Sequence, residues 1–260
     1  MIVTVRRRGA RVDATIDRPE ALNALNHQVI AELDQLVREW EADDSVRVGV
    51  ITGTGSKAFC AGADLRELQG LDHAEADDWL AQGHRLMDRV AASRTPIVAA
   101  VNGLALGGGF ELVLASTIAV ACARARFGLP EARLGLIPGL GGTSRLRDAV
   151  GRHRAMRLML SGEMVGAHEA FALGLLSQEP VPDELLPSVV DELVDALLLA
   201  GPRATRTIRE LTDGAAAPSA SLYAERGAAA AAVASAEGAE GITAHQERRK
   251  PVWAASPPAD

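Results

Sequence analysis

Cysteine is scarce in this chain: Cys60 and Cys122 are the two in 260 residues. Two are too few for a disulfide framework, and no Cys-x-x-Cys pair or Cys/His cluster suggests a metal site. No apolar run reaches the twenty residues of a membrane-spanning helix, so a reduced, cytoplasmic compartment is the expectation. The N-terminus, Met1-Ile-Val-Thr-Val-Arg-Arg-Arg8, places an apolar strand before charge, unlike a signal peptide. Lysine is nearly missing, with Lys57 and Lys250 the two present. Aromatics make up 3% of residues and the formal net charge is −7. Without a basic stripe interleaved with aromatics, nucleic acid is a poor partner. Three nucleotide or hydrolase signatures are also missing. No Gly-x-Gly-x-x-Gly joins a strand to a helix, no Gly-x-x-x-x-Gly-Lys-Ser/Thr occurs, and no Gly-x-Ser-x-Gly occurs. Dinucleotide binding, P-loop phosphoryl transfer and α/β-hydrolase chemistry each lose their best cue.

What is present suits one large α/β core, or a main domain with a smaller appendage: 48% of residues are hydrophobic. Residues 1–6 and 11–17 alternate in polarity around Arg8-Gly9-Ala10 and read as a hairpin. Residues 18–25 read as a loop. Asn26 then caps a helix with Val29, Ile30, Leu33, Leu36, Val37 and Trp40 on one face. Residues 46–52 read as a strand with Val46, Val48 and Val50 sharing a face. A helix start is expected at Asp64, a helix over 71–94, and short strands over 96–101 and 118–123. Residues 127–133 are rich in turn signals, and 174–180 form a last strand or extended piece. Helices are expected over 144–150, 154–160, 167–173, 183–200, 203–213, 219–236 and 239–249, the alanine block 228–232 packing within one of them. Strands and helices mix up to residue 180 and helices alone follow, which places a boundary between a core (1–180) and a helical region (181–260).

The chemistry gathers on Val101-Asn-Gly-Leu-Ala-Leu-Gly-Gly-Gly-Phe-Glu111. An apolar strand-like run feeds three glycines, and a helix-compatible run follows with Glu111 in its first turn. Glycine lets a backbone N–H come bare against a ligand, and a helix start adds positive dipole. Taken alone, the glycines fit a structural strand-to-helix turn, and Glu111 fits a helix-dipole carboxylate.

Four lines of text change that reading: Arg18-Pro-Glu-Ala-Leu-Asn-Ala-Leu25, Ala58-Phe-Cys-Ala-Gly-Ala-Asp-Leu65, Ala99 through Leu112, and Phe127-Gly-Leu-Pro-Glu-Ala-Arg-Leu-Gly-Leu-Ile-Pro-Gly-Leu-Gly-Gly-Thr143. With the tail Glu247-Arg-Arg-Lys-Pro-Val252, they resemble the crotonase, or enoyl-CoA hydratase/isomerase, superfamily from about residue 3 to 253. The resemblance implies an α/β fold, a spiral of β-β-α turns followed by a C-terminal helical trimerisation region. It implies a homotrimer or a dimer of trimers acting on an acyl-CoA thioester. No separate cofactor or metal is implied, since coenzyme A is part of the substrate. Carried onto this chain, the superfamily's oxyanion hole falls on the amides of Ala63 and Gly108. Those members that hydrate double bonds have two glutamates, here Glu111 and Glu131. Adding water to a conjugated C=C needs a base for the water and an acid for Cα, and two close carboxylates split their pKa values. Glu111 is assigned as base and Glu131 as acid, and both can hold one water and titrate as a pair.

The resemblance places Ala21, Leu22, Ala24 and Leu25 along the coenzyme A site, with Ala61, Gly62, Asp64, Leu65 and Gly107. Lys57, Arg18 and Lys250 are candidates for its phosphates, whereas Arg248 and Arg249 read as solvated charge. Histidines 27, 73, 84, 153, 168 and 245 match no catalytic motif, and Cys60 reads as a small packing residue. Two departures stand out. Ser116-Thr117 replaces the usual Cys-Asp, which puts a structural hydrogen bond in question, and bulky Phe110 is expected to narrow the pocket. Enoyl-CoA hydration, trans-2-enoyl-CoA to 3-hydroxyacyl-CoA, is the leading expectation. An isomerase or another acyl-CoA lyase or hydrolase is the alternative within the superfamily, and a non-catalytic binding protein on the same scaffold is the alternative outside enzymes.

Overall fold

The computed structural model describes residues 1–213 and 235–254. The helix expected over 219–236 falls, but for its last two residues, outside them. The hairpin forms as read: β1 (Val3–Arg8) pairs antiparallel with β2 (Arg11–Ile16). β2 then pairs parallel with β3 (Val48–Gly53), β3 with β5 (Ile97–Val101), and β5 with β7 (Ile118–Ala121). The five-stranded sheet has the order β1-β2-β3-β5-β7. β3 does not alternate as expected, being buried on both faces over Val48–Ile51. It lies mid-sheet, where parallel strands are covered on both sides and read as continuous apolar runs.

A second sheet was not legible as strands. It consists of β4 (Ala58–Cys60), β6 (Leu104–Leu106), β8 (Arg126–Gly128) and the two-residue β9 (Val165–Gly166), in that order. The strand that reaches the glycines is therefore β6, with Asn102-Gly103 turning the chain between β5 and β6. The part of 127–133 read as turn begins inside β8. Three times the chain runs through the five-stranded sheet, then the four-stranded one, then into a helix: β3–β4–α2 (Leu65–Leu68) with α3 (His73–Ala92), β5–β6–α4 (Gly108–Ala115), and β7–β8 with α5 (Gly142–Val150). That repetition is the spiral of β-β-α turns. In each, the second strand delivers a helix start to the same end of the small sheet.

The helices follow their sequence signals. The Asn26 side chain accepts from Val29 N–H at 2.9 Å and opens α1 (His27–Ala42), which buries Val29, Ile30, Leu33, Leu36, Val37 and Trp40. Asp72 and Glu75 form a reciprocal capping box on α3. The α1 and α3 helices pack together and cover the five-stranded sheet with Leu33, Trp40, Leu86 and Met87. After α6 (Arg152–Ser161) and α7 (Ala167–Ala172), α8 (Leu186–Leu199) buries Leu186, Val190 and Val194 and packs on β3 and β7. Then come α9 (Pro202–Asp213) and α10 (Ala236–Gln246). At the Ser116-Thr117 departure the Thr117 hydroxyl accepts from Ile97 N–H at 3.0 Å and from the Arg209 guanidinium. Among the described residues no helix is long and apolar enough to cross a membrane.

Candidate active site

Two backbone straps meet at the head of α4. The first leaves β4, turns at Gly62 (φ +104°) and runs through Ala63 to Asp64, which caps α2. The 21–25 loop is stitched to it: Leu25 N–H donates to Gly62 O at 2.7 Å, Asp64 N–H to Leu25 O at 2.8 Å and Ala61 N–H to Leu22 O at 3.1 Å. The buried side chain of Asn23 fixes that loop, accepting from Arg18 N–H and donating to Thr54 O and Ala58 O. The second strap leaves β6 and enters α4 at Gly107, whose φ of +49° suits glycine. The straps run side by side with little room for side chains: a Cβ on Gly62 would lie 2.9 Å from the Leu106 carbonyl oxygen. A Cβ on Gly62 would lie 3.6 Å from Gly108 N, one on Gly108 would lie 3.8 Å from Ala63 N, and one on Gly109 would overlap the Cys60 carbonyl. Among the described residues the amides of Ala63 and Gly108 donate to no backbone or side-chain acceptor.

Both glutamates reach this place. Glu111, one turn into α4, is 1% exposed, and its Oε1 accepts from Leu140 N–H at 2.8 Å and Gly142 N–H at 2.7 Å. Burial raises its pKa, against which those two amides, the His84 imidazole and the Arg145 guanidinium favour the anion. Glu131 opens a 3-10 turn, Glu131–Leu134, behind β8. Its Oε1 lies 3.0 Å from where a Cβ on Gly107 would stand. Its Oε2 is buried without a hydrogen-bond partner among the described residues. Burial first, and the negative charge of Glu111 after it, push the Glu131 carboxyl up to about 7.

The structure thus brings together Leu25, Gly62, Ala63, Gly107, Gly108, Glu111 and Glu131. Around them, Ala24 is buried and Ala21, Leu22 and Ala61 are half-buried, while Leu65, Lys57 and Lys250 are exposed. Asp64 is buried and ion-paired to Arg66 at 2.8 Å and Arg18 at 2.9 Å, which hold its carboxyl far below the usual range. Arg18 bonds Asp64 and the carbonyl of Ala24, at 2.7 Å, and braces the loop. Arg249 pairs with Glu240 and Glu247, in keeping with a solvated charge run. Phe110 is 1% exposed and packs on Phe127 at 5.5 Å, on the core side of α4. Cys60 is fully buried, its thiol pushed up to about 12 by desolvation. Among the described residues no cluster of His, Cys, Asp and Glu is arranged to hold a metal ion.

Sequence reasoning passed over the partners of Glu111: the amides of Leu140 and Gly142, Arg145, and His84. The signal available for the first two was the Gly-Leu-Gly-Gly run ending at Gly142.

The sequence matches the model of the enoyl-CoA hydratase/isomerase family over residues 9–256. The chain belongs to the enoyl-CoA hydratase/isomerase family. It is 40% identical over 191 residues to the crotonyl-CoA hydratase of Syntrophomonas wolfei, covering 74% of this chain and 73% of that one. It is 36% identical over 208 residues to the short-chain-enoyl-CoA hydratase of Clostridium acetobutylicum, covering 80% and 79%. An enoyl-CoA hydratase structure from Bacillus anthracis superimposes with a TM-score of 0.93 at 32% identity, covering 97% of this chain and 98% of that one. Within its family the chain is most like the hydratases and is a hydro-lyase.

Proposed function

We propose that this hydro-lyase adds water syn across the Cα=Cβ bond of a trans-2-enoyl-CoA, giving a 3-hydroxyacyl-CoA. The observation that carries the reading is the convergence of a buried and a half-buried carboxyl group, with dissimilar surroundings, on two unbonded amides. In this reading the thioester oxygen lies against the N–H groups of Ala63 and Gly108. Glu111, ionised, takes a proton from water as the water oxygen bonds to Cβ. The π electrons move toward the thioester oxygen, and the two amides stabilise that enolate. Glu131, protonated, then delivers its proton to Cα and the carbonyl re-forms. Syn addition has water and proton reach the same face of the double bond, which in this reading is the face that both carboxyl groups serve. Each fixed donor supplies about 2.7–4 kcal/mol to such a charge in comparable sites. The turnover leaves Glu111 protonated and Glu131 ionised, and a proton passing between the coupled pair restores the start.

Loss of the conjugated-enoyl absorbance of crotonyl-CoA tests this. Wild type should consume it, and Glu111→Gln and Glu131→Gln should each nearly abolish the loss while staying folded. A wild type inert on short, long and aryl enoyl-CoAs would end the hydratase reading. The same reading carries an assembly of three or six chains; a monomer by light scattering at micromolar concentration contradicts that part.

A further inference from the structure

Gly83 lies in the middle of α3, where glycine weakens a helix relative to alanine. A packing reason is therefore to be sought. A Cβ at this position would stand 2.6 Å from Cδ2 of Leu140, 3.2 Å from its Cδ1 and 3.5 Å from its Cγ. Leu140 is 2% exposed, and on its other side Cδ1 is 3.1 Å from where a Cβ on Gly108 would be. Its isobutyl group is wedged between α3 at Gly83 and α4 at Gly108. The backbone of the same residue holds Glu111 through its N–H. Its carbonyl accepts from Arg145 Nη1 at 2.9 Å, and Arg145 pairs back to Asp88 on α3 at 2.7 Å.

We propose that Gly83 is a positioning residue for Glu111, acting through Leu140. The notch it leaves in α3 seats the side chain whose backbone amide fixes the carboxylate. This rests on the assignment of Glu111 as the base. Ordinary contact would require Leu140 to move by about 1 Å if residue 83 carried a methyl group, a displacement that costs about 10²-fold when it misplaces a reacting group. Moving toward Gly108, Leu140 crowds the strap amide, beside which Leu25 Cδ1 already lies 3.0 Å from the position of a Cβ on Gly108. Moving away, it lengthens the bond to Glu111 and leaves the anion less stabilised. The titratable and charged groups around Glu111 are His84 on α3, Arg145 on α5 and Glu131 at its turn, with Asp88 paired to Arg145. None of them changes in the test.

The test uses the full chain with 13C-labelled glutamate, its side-chain carboxyl groups titrated by NMR and Glu111→Gln identifying the signal. In Gly83→Ala the Glu111 midpoint should rise by about one unit, as for a carboxylate losing a backbone donor. The kcat on crotonyl-CoA should fall about tenfold or more, with KM within about threefold. In Gly83→Ala/Leu140→Ala, which removes every clashing atom and keeps the amide, midpoint and kcat should return most of the way. A folded Gly83→Ala with a wild-type midpoint overturns the proposal, as does a double variant as shifted as the single one. If Gly83→Ala does not fold, a double variant that folds with a wild-type midpoint supports the coupling, and one that restores neither overturns it. The midpoints are read without substrate. A wild type inert on enoyl-CoAs with the predicted shifts would remove the base assignment and leave the coupling standing.

Discussion

Glu111 sits at the start of α4 with one oxygen held by two amides and with His84 and Arg145 near enough to favour its anion, whereas Glu131 opens a 3-10 turn with one oxygen buried and unbonded. Burial raises both carboxyl groups, but their neighbours act in opposite directions. The Leu140–Gly142 cradle offsets part of the desolvation at Glu111, whose pKa stays raised, and favours its carboxylate form. Glu131 is opposed by its own backbone amide alone and gains a second upward push from Glu111, so it reaches about 7 and suits a proton donor. In the proposed reaction the same side chain serves as base in one region and as acid in the other, according to the donors and charges around it.

The largest effects should come from erasing the two roles. Glu111→Gln and Glu131→Gln should each lower kcat by about 10²–10⁴-fold, the usual share of a positioned acid or base. If Glu131→Gln keeps full rate in an active enzyme, the two-acid comparison collapses. Next is the strap between the acids: Gly108→Pro removes one amide, and kcat should fall by about 10²–10³-fold; near-normal turnover in a folded variant would remove that donor. In the wild type, kcat/KM should fall as pH rises through about 7, because Glu131 then loses the proton it must give. A stopped-flow pH series checks this, and a profile flat from pH 6 to 9 breaks the assignment.

A smaller effect tests the surroundings of Glu131 without substrate. Its carboxyl titrates near 7 when folded and near its ordinary 4.5 when unfolded. The folded chain binds that proton more tightly, so the stability it lends is full below about 4.5 and lost as pH rises through about 7. The loss is about 3 kcal/mol for full burial and about 1–2 kcal/mol once solvent screening is allowed for. Glu131→Gln should match wild type at pH 4.5 and exceed its Tm by about 2–8 °C at pH 8. An equal Tm difference at both pH values would show that burial of Glu131 costs nothing.

The same contrast governs what was legible in the sequence. Helix starts announce themselves locally: Asn26, Asp64 and Gly107 each cap the helix read from them, and small residues at 62 and 107–109 marked the straps. Ala63 and Gly108 were named as partners through the family resemblance, and the structure puts their backbones side by side. β4, β6 and β8 were missed because three residues are too few for period-two alternation to appear; their strand character comes from pairing with one another across the spiral. The bracing role of Arg18 was not legible, because a cation in a loop looks like a ligand for phosphate until the buried Asp64, 46 positions on, is brought against it. The cradle of Glu111 was invisible for a related reason: backbone amides carry no residue signature, and the contact spans 29 positions.

The mildest break in the comparison is at Arg145. It lies outside the Leu140–Gly142 turn, donating to Leu140 O while pairing with Asp88, and its charge favours the Glu111 anion. Its side chain is one-fifth exposed and Asp88 more than half exposed, so solvent screens the pair and its energy is modest. Arg145→Met should therefore cost the enzyme only a few-fold in kcat/KM near pH 8. The loss should deepen as pH falls, because Glu111 without that charge holds its proton to higher pH and the base is depleted first. The acidic limb of the pH profile should move up while the limb set by Glu131 stays near 7. If both limbs move together, the two carboxyl groups respond as one unit, and the division between a cradled base and an uncradled acid gives way to a pair sharing a single proton.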